Sequence, residues 1–200
     1  EGFVQALYDE GYVDSAGVIY ARGRLAWVQP AGRYSVPSEQ APLAGVQEAI
    51  AALAEGQQRL AQSRALIIGM GGLGSPVALY LASAGVGQLT ITDFDRVDES
   101  NLQRQIIHTH KSVGDLKAVS AQHTIQRLNP RCVVEALDYE LDGEELLEQV
   151  GTADIVLDCT DNFPSRFELN EACLAVGTPL VSGAAIRWEG QVATFDPKDL

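Results

Sequence analysis

Between Arg64 and Phe195 the chain alternates two hydrophobic patterns. Short apolar runs, Ala65-Leu66-Ile67-Ile68, Leu89 to Thr92, Ile155 to Asp158 and Leu180-Val181, carry almost no charge. Runs of that length between turn residues predict strands covered on both faces. Longer segments with helical spacing separate them. Ser75 to Ala84 places Val77, Leu81 and Ala84 on one face and is closed by Gly85. Val113 to Leu128 is stopped by Asn129-Pro130, and Pro164 to Val176 is closed by Gly177. Glu144 to Val150 predicts a shorter helix, and Cys132 to Ala136 and Gln191 to Phe195 two further strands. Strands separated by helices of this size form βαβ units. The predicted class is α/β, a Rossmann-like, mainly parallel sheet flanked by helices.

Residues 1–63 lack this rhythm. Gly17 to Val28 reads as a hairpin about Arg22-Gly23. Pro30, Pro37 and Pro42 are expected to break any regular element. Val46 to Leu60 is rich in Ala, Gln and Glu and predicts a helix weakened by Gly56. The expected division is an N-terminal region, 1–54, without an assigned role, and an α/β domain over 55–200.

Composition narrows the classes of function. The chain has 200 residues, 46% hydrophobic and 20% charged, as in ordinary soluble globular proteins. No apolar run approaches the roughly 18–20 residues of a membrane helix, so no membrane partner is expected. No basic, apolar leader opens the chain. It starts at Glu1 rather than Met, so a missing or processed start is expected. A net charge of −13 repels phosphate backbones, which argues against nucleic acid as a partner. Cys132, Cys159 and Cys173 are spaced 27 and 14 apart, unlike a CxxC clip. They read as buried free thiols in a reducing cytoplasm. Cys132 begins a predicted strand, and Cys173 shares an inward helical face with Leu169 and Val176.

The candidate chemistry starts at Gly69-Met70-Gly71-Gly72-Leu73-Gly74, a GxGxxG between a predicted strand and helix. Gly69 allows the turn, Gly71 and Gly72 admit a ligand to the backbone, and Gly74 lets the helix pack. The helix N-terminus then faces an anion. Asp93 lies 19 residues past Gly74, at the end of the next strand, where an acid accepts ribose hydroxyls. This pair alone fits any adenosine-containing ligand, including the cofactor of an NAD- or FAD-dependent oxidoreductase. The next residues favour a triphosphate. Asp93-Phe94-Asp95 is followed by Ser100-Asn101-Leu102-Gln103-Arg104-Gln105, dense in hydrogen-bonding groups. Arg104 and Lys117 add fixed positive charge. A surface ion pair for Arg104 and a solvated side chain for Lys117 are the competing readings. After the strand ending at Asp158, Asp161 suits Mg²⁺ held together with phosphate oxygens. Asn162 suits a nucleotide oxygen or, alternatively, a helix cap. Asp158 reads as structural. Cys159, without a flanking His or Lys, is a poor nucleophile.

Taken together and in order, Gly69–Gly74, Asp93–Asp95, Ser100–Gln105, Lys117, Asp158–Asn162 and Val181–Ala185 resemble the ThiF/MoeB/HesA family of ubiquitin-activating-enzyme-like adenylyltransferases, nearest its molybdenum-cofactor and thiamine members. The resemblance runs from about Glu55 to Phe195. It implies an ATP-dependent enzyme that adenylates the C-terminal glycine carboxylate of a sulfur-carrier or ubiquitin-like protein and releases pyrophosphate. Its implied ligands are ATP and Mg²⁺, and its implied partners a small β-grasp carrier ending in Gly-Gly and a second copy in a homodimer. It places Gly69, Gly71, Gly72 and Gly74 against the nucleotide and Asp93 on the ribose. Asp95, Ser100, Asn101, Leu102, Gln103 and Arg104 fall in the nucleotide-contacting stretch. Lys117 sits on the triphosphate, Asp161 on Mg²⁺ and Asn162 beside the nucleotide. Arg104, Lys117 and Asp161 carry the catalytic roles. Two features depart from the family. Arg33-Tyr34-Ser35-Val36-Pro37 replaces an Arg-Tyr-x-Arg-Gln stretch, and the cysteine-bearing crossover loop with two CxxC zinc pairs is not reached before Leu200. The sheet is therefore expected to be incomplete at the C-terminus, without zinc and with chemistry ending at the acyl-adenylate. A catalytically silent scaffold or fragment is the competing reading.

Overall fold

The structure is a computed structural model that describes residues 41–199, and the chain divides into two units between Arg59 and Leu60. The expected hairpin at 17–28, the breaks at Pro30 and Pro37, and the Arg33–Pro37 stretch lie outside the described residues. Helix α1 spans Ala41–Gln62. Pro42 does not interrupt it, because proline in a first turn has no N–H to lose there and already carries helical φ.

The second unit holds β1 (Arg64–Ile68), α2 (Gly74–Ala84), β2 (Gln88–Thr92), α3 (Lys117–Leu128) and β3 (Val133–Leu137). It continues with α4 (Gly143–Thr152), β4 (Ile155–Asp158), α5 (Phe163–Val176), β5 (Leu180–Ile186) and β6 (Glu189–Phe195). The six strands lie in the order β3-β2-β1-β4-β5-β6, parallel except for the antiparallel β5–β6 pair. This is the expected Rossmann-like α/β architecture. Alternate β1 side chains enter opposite cores. Ala65 and Ile67 pack with Ala78 and Ala82 of α2 and Ala121 and Ile125 of α3. Leu66 packs with Leu146 and Val150 of α4 and Leu169 and Cys173 of α5. Both faces are covered, which explains why β1 reads as an unbroken apolar run.

Five local expectations are corrected. The buried face of α2 is Gly74, Ser75, Ala78 and Ala82, while Val77 and Leu81 are half-buried and Ala84 is exposed. Small residues let this helix lie close to the loop that precedes it. Helix α3 begins at Lys117 rather than Val113. Gly114 has φ of 92°, and its N–H donates to Val97 O while Val97 N–H donates to Asp115 O. Those bonds hold 113–116 against 96–97 as a short bridge. Strand β5 continues past Val181 to Ile186 and turns back into β6. Finally, Val176 is 41% exposed, leaving Leu169, Ala172 and Cys173 as the buried α5 residues, and Cys132 is buried just ahead of β3.

Candidate functional site

A cavity of about 760 Å³ opens at the carboxyl ends of β1, β2 and β4. Open α/β sheets bind ligands on this edge, where strand order reverses. Its floor is the glycine-rich loop. Gly69 takes φ of 96° immediately after β1, and a Cβ there would stand 2.9 Å from Cys159 O. Gly74 is fixed by contact, since a Cβ would reach to 1.8 Å from Gly69 O. Gly72 differs. Its φ is not positive, and its nearest neighbours are Arg104 side-chain carbons at 3.5 Å. Among the described residues, the amides of Gly71 and Gly72 find no acceptor. Adjacent free N–H groups at a helix start form an anion-binding concavity.

Asp93 closes the loop from β2. One carboxylate oxygen accepts from Met70 N–H at 2.8 Å and the other from Asp95 N–H at 2.9 Å. Lys117, the first residue of α3, reaches the same corner. Its ammonium is 2.6 Å from Asp95 and 4.0 Å from Asp93, with its side chain only 7% exposed. The solvated reading of Lys117 therefore fails, because a buried ammonium requires such partners. Arg104 is exposed and lies over Gly72, donating to Asn101 Oδ1 at 3.1 Å. It has no acidic partner among the described residues, so the surface-ion-pair reading fails too.

The third wall is the loop after β4. Asp158 is 2% exposed and accepts from Thr160 N–H, the Thr160 hydroxyl and the Ser182 hydroxyl. This buried carboxylate is structural. Arg166 donates to the carbonyls of Thr160 and Gly183, tying the loop to β5. Asn162 caps α5 by accepting from Ser165 N–H at 3.0 Å and also lines the cavity. Asp161 is exposed there and makes no hydrogen bond or ion pair among the described residues. Burial, with Asp158 adding to it, pushes the Cys159 thiol up to about 12, and burial chiefly pushes Cys173 up to about 11. Neither supplies a thiolate near neutral pH.

Of the residues singled out from sequence, Gly69, Gly71, Gly72, Asp93, Asp95, Asn101, Arg104, Lys117, Asp161 and Asn162 line this one cavity. Gly74, Ser100, Leu102 and Gln103 do not. Gly74 packs beneath the loop, Ser100 bonds Asp98, and Gln103 bonds Ser100 O. The sequence reading passed over Gln105. It lines the cavity at 4% exposure, with an Oε1 that has no partner among the described residues. It also passed over the exposed rings of Phe94 and Phe163 among the lining residues. Gln105 ends the Ser100–Gln105 stretch, and nothing in its spacing marks it as buried. Among the described residues no group of three or more His, Cys, Asp or Glu could hold a metal, and no helix is long and apolar enough to cross a membrane.

Fold and cavity together define a Rossmann-type α/β domain whose glycine-rich loop, acidic strand end and basic residues converge at one edge. Residues 46–200 match the ThiF family, and the chain belongs to it. It is 50% identical over 145 residues to the molybdopterin-synthase adenylyltransferase of Escherichia coli, covering 72% of this chain and 58% of that protein. It is 48% identical to the E. coli sulfur carrier protein ThiS adenylyltransferase, covering 72% and 57%. The SAMP-activating enzyme E1 of Haloferax volcanii is 46% identical, with 72% and 53% covered. The chain thus spans between half and three-fifths of the length of these relatives. Crystal structures share the fold. E. coli MccB with ATP superposes at a TM-score of 0.64 and 22% identity, covering 70% of this chain and 43% of MccB.

Proposed function

We propose that this chain is the ATP-binding part of an enzyme that joins the C-terminal glycine carboxylate of a sulfur-carrier or ubiquitin-like protein to AMP and releases pyrophosphate. The observation that carries the reading is the convergence of Gly71, Gly72, Asp93, Arg104, Lys117 and Asp161 on one cavity. Membership in the ThiF family and near-50% identity to two carrier-protein adenylyltransferases support it. A carrier carboxylate is ionised at neutral pH and needs no general base. The task is to bring two anions together and stabilise the charge that develops at the α-phosphate and on the departing pyrophosphate. In this reading the free amides of Gly71 and Gly72 and the guanidinium of Arg104 supply that stabilisation. Lys117 exchanges part of its pairing with Asp95 for a phosphate oxygen. Asp93 orients the loop and accepts from the ribose.

The cavity's charge tests the fit to Mg²⁺. Asp93, Asp95, Glu140, Asp161 and Glu168 outnumber Arg104, Lys117 and Arg166 around it. A triphosphate entering an acidic lining needs an accompanying cation. Mg²⁺ takes one or two carboxylates plus phosphate oxygens rather than a protein cage. The unpaired Asp161 carboxylate fits that role, and the bound cation would supply charge neutralisation. The reading includes a homodimer acting on a Gly-Gly-ended β-grasp carrier in the cytoplasm. The test is ATP–pyrophosphate exchange with such carriers as substrates. Carrier-dependent exchange is expected. ATP binding without exchange for any carrier would favour the silent-scaffold reading. Tight NADH binding without ATP binding would favour an oxidoreductase.

A further inference from the structure

His108 lines no part of the cavity, yet it is 5% exposed and makes two side-chain hydrogen bonds. Its Nε2 is 3.2 Å from Met70 O and its Nδ1 is 2.9 Å from Ser120 Oγ. A carbonyl only accepts, so Nε2 carries the hydrogen and donates to Met70 O. Nδ1 is then the acceptor for the Ser120 hydroxyl, which selects this neutral tautomer. Two charged groups face the ring: Lys117 at the start of α3 and Asp93 at the end of β2. Burial, reinforced by Lys117, holds the imidazole below its ordinary pKa; the Met70 bond and Asp93 act the other way.

Met70 is gripped on both sides. Its N–H donates to Asp93 Oδ2 at 2.8 Å, and its carbonyl accepts from His108 and, at 3.4 Å, from Ser75 Oγ. The Met70 carbonyl and the Gly71 N–H belong to one planar peptide unit. In a trans peptide they point in opposite directions, and the described residues contain no cis bond. Drawing the carbonyl inward to His108 turns the Gly71 N–H outward. Gly71 lines the cavity, and its N–H finds no acceptor among the described residues.

We infer that His108 is a positioning residue: its hydrogen bond to Met70 O sets the plane of the Met70–Gly71 peptide and aims the Gly71 amide at a phosphate of the bound nucleotide. The inference rests on the ATP reading above and adds a residue to it. It implies that the affected ligand chemistry is the polyphosphate, not the nucleoside.

The experiment compares wild type, His108→Phe, which keeps a ring without a donor, and His108→Gln, whose amide can donate. Thermal melting and titrations with Mg·ATP and adenosine are run on each. His108→Phe is expected to weaken Mg·ATP binding by roughly 10- to 100-fold, the range for losing a hydrogen bond to a charged group. Adenosine affinity should stay unchanged, and His108→Gln should restore most of the ATP affinity. Unchanged ATP affinity in a folded His108→Phe would overturn the inference. So would equal losses for ATP and adenosine, which indicate a general packing role. Failure of wild type to bind Mg·ATP removes the nucleotide reading itself and is seen before any variant is made. Should His108→Phe not fold, nitrogen NMR of the wild-type imidazole decides. Nε2–H with an unprotonated Nδ1 at pH 7 is expected, and an Nδ1–H tautomer overturns the assignment.

Discussion

Gly72 and Gly74 are two residues apart and constrained by different things. At Gly74 any side chain meets the protein, with a Cβ 1.8 Å from Gly69 O. At Gly72 the nearest protein atoms are ordinary contacts at 3.5 Å. Gly74→Ala should therefore destabilise by about 3 kcal/mol, the upper end of overpacking costs, as read by urea unfolding. Gly72→Val should leave stability within about 1 kcal/mol and abolish ATP binding, because its side chain fills space reserved for phosphate. Normal ATP binding by Gly72→Val would reduce the loop to a turn. Asp161 offers a second separation. Its carboxylate is exposed and unpaired among the described residues, so Asp161→Ala should melt like wild type. Adenylate formation should fall at least 10²-fold, the scale of losing one charge-stabilising contact. Full turnover would show that the metal is held elsewhere.

At the scale of elements, the loop between β4 and α5 carries both structure and chemistry. Asn162 Oδ1 caps α5, and Asn162→Ala should cost about 1 kcal/mol in chemical denaturation, while Asn162→Asp should keep the cap. Equal stability of all three would mean that the cap is dispensable. Sequence legibility also divides by element. Strands β1, β2 and β4 were readable because a strand covered on both faces carries no charge through its middle. Helix α5 was readable because Pro164 opens it and Gly177 closes it with φ of 78°. The start of α3 was not, because Val113 to Leu116 fit a helical pattern while Gly114 N–H donates to Val97 O, Asp115 O accepts from Val97 N–H and Gly114 O accepts from the Arg96 side chain. The length of β5 was hidden by Ser182-Gly183-Ala184-Ala185, whose small residues carry little strand preference. The glycine loop, Asp93, Arg104, Lys117 and Asp161 were legible as motifs. Gln105 and His108 were not, since their importance lies in burial and in contacts made across the fold.

For the whole molecule, the buried thiols make a pH prediction. Cys159 and Cys173 hold their protons to about 12 and about 11, against an ordinary value near 9. Between those limits the unfolded chain releases protons that the folded chain retains. Stability is then full below about pH 9 and falls as pH rises from there, by up to about 1.4 kcal/mol per pH unit per thiol. Urea unfolding at pH 8 and pH 10.5 should show that loss, and Cys159→Ala should shrink it. A pH-independent midpoint would mean that the thiols ionise freely in the folded state.

Strand order also sets a timetable. β1 pairs with β2 on one side and with β4 on the other, and Arg64 N–H bonds a side chain ninety residues later, that of Asp154. As the chain leaves the ribosome, β1, β2 and β3 can associate first. The flank of β1 meant for β4 then stays open while residues up to Asp158 are made. At roughly 5–20 residues per second the 21 residues from the end of β3 to the end of β4 take about 1–4 seconds. Throughout that interval, the most apolar strand of the sheet is a free edge, able to pair with another nascent chain. A slower translation rate between β3 and β4 should therefore lower the yield of native protein without changing a single contact in it.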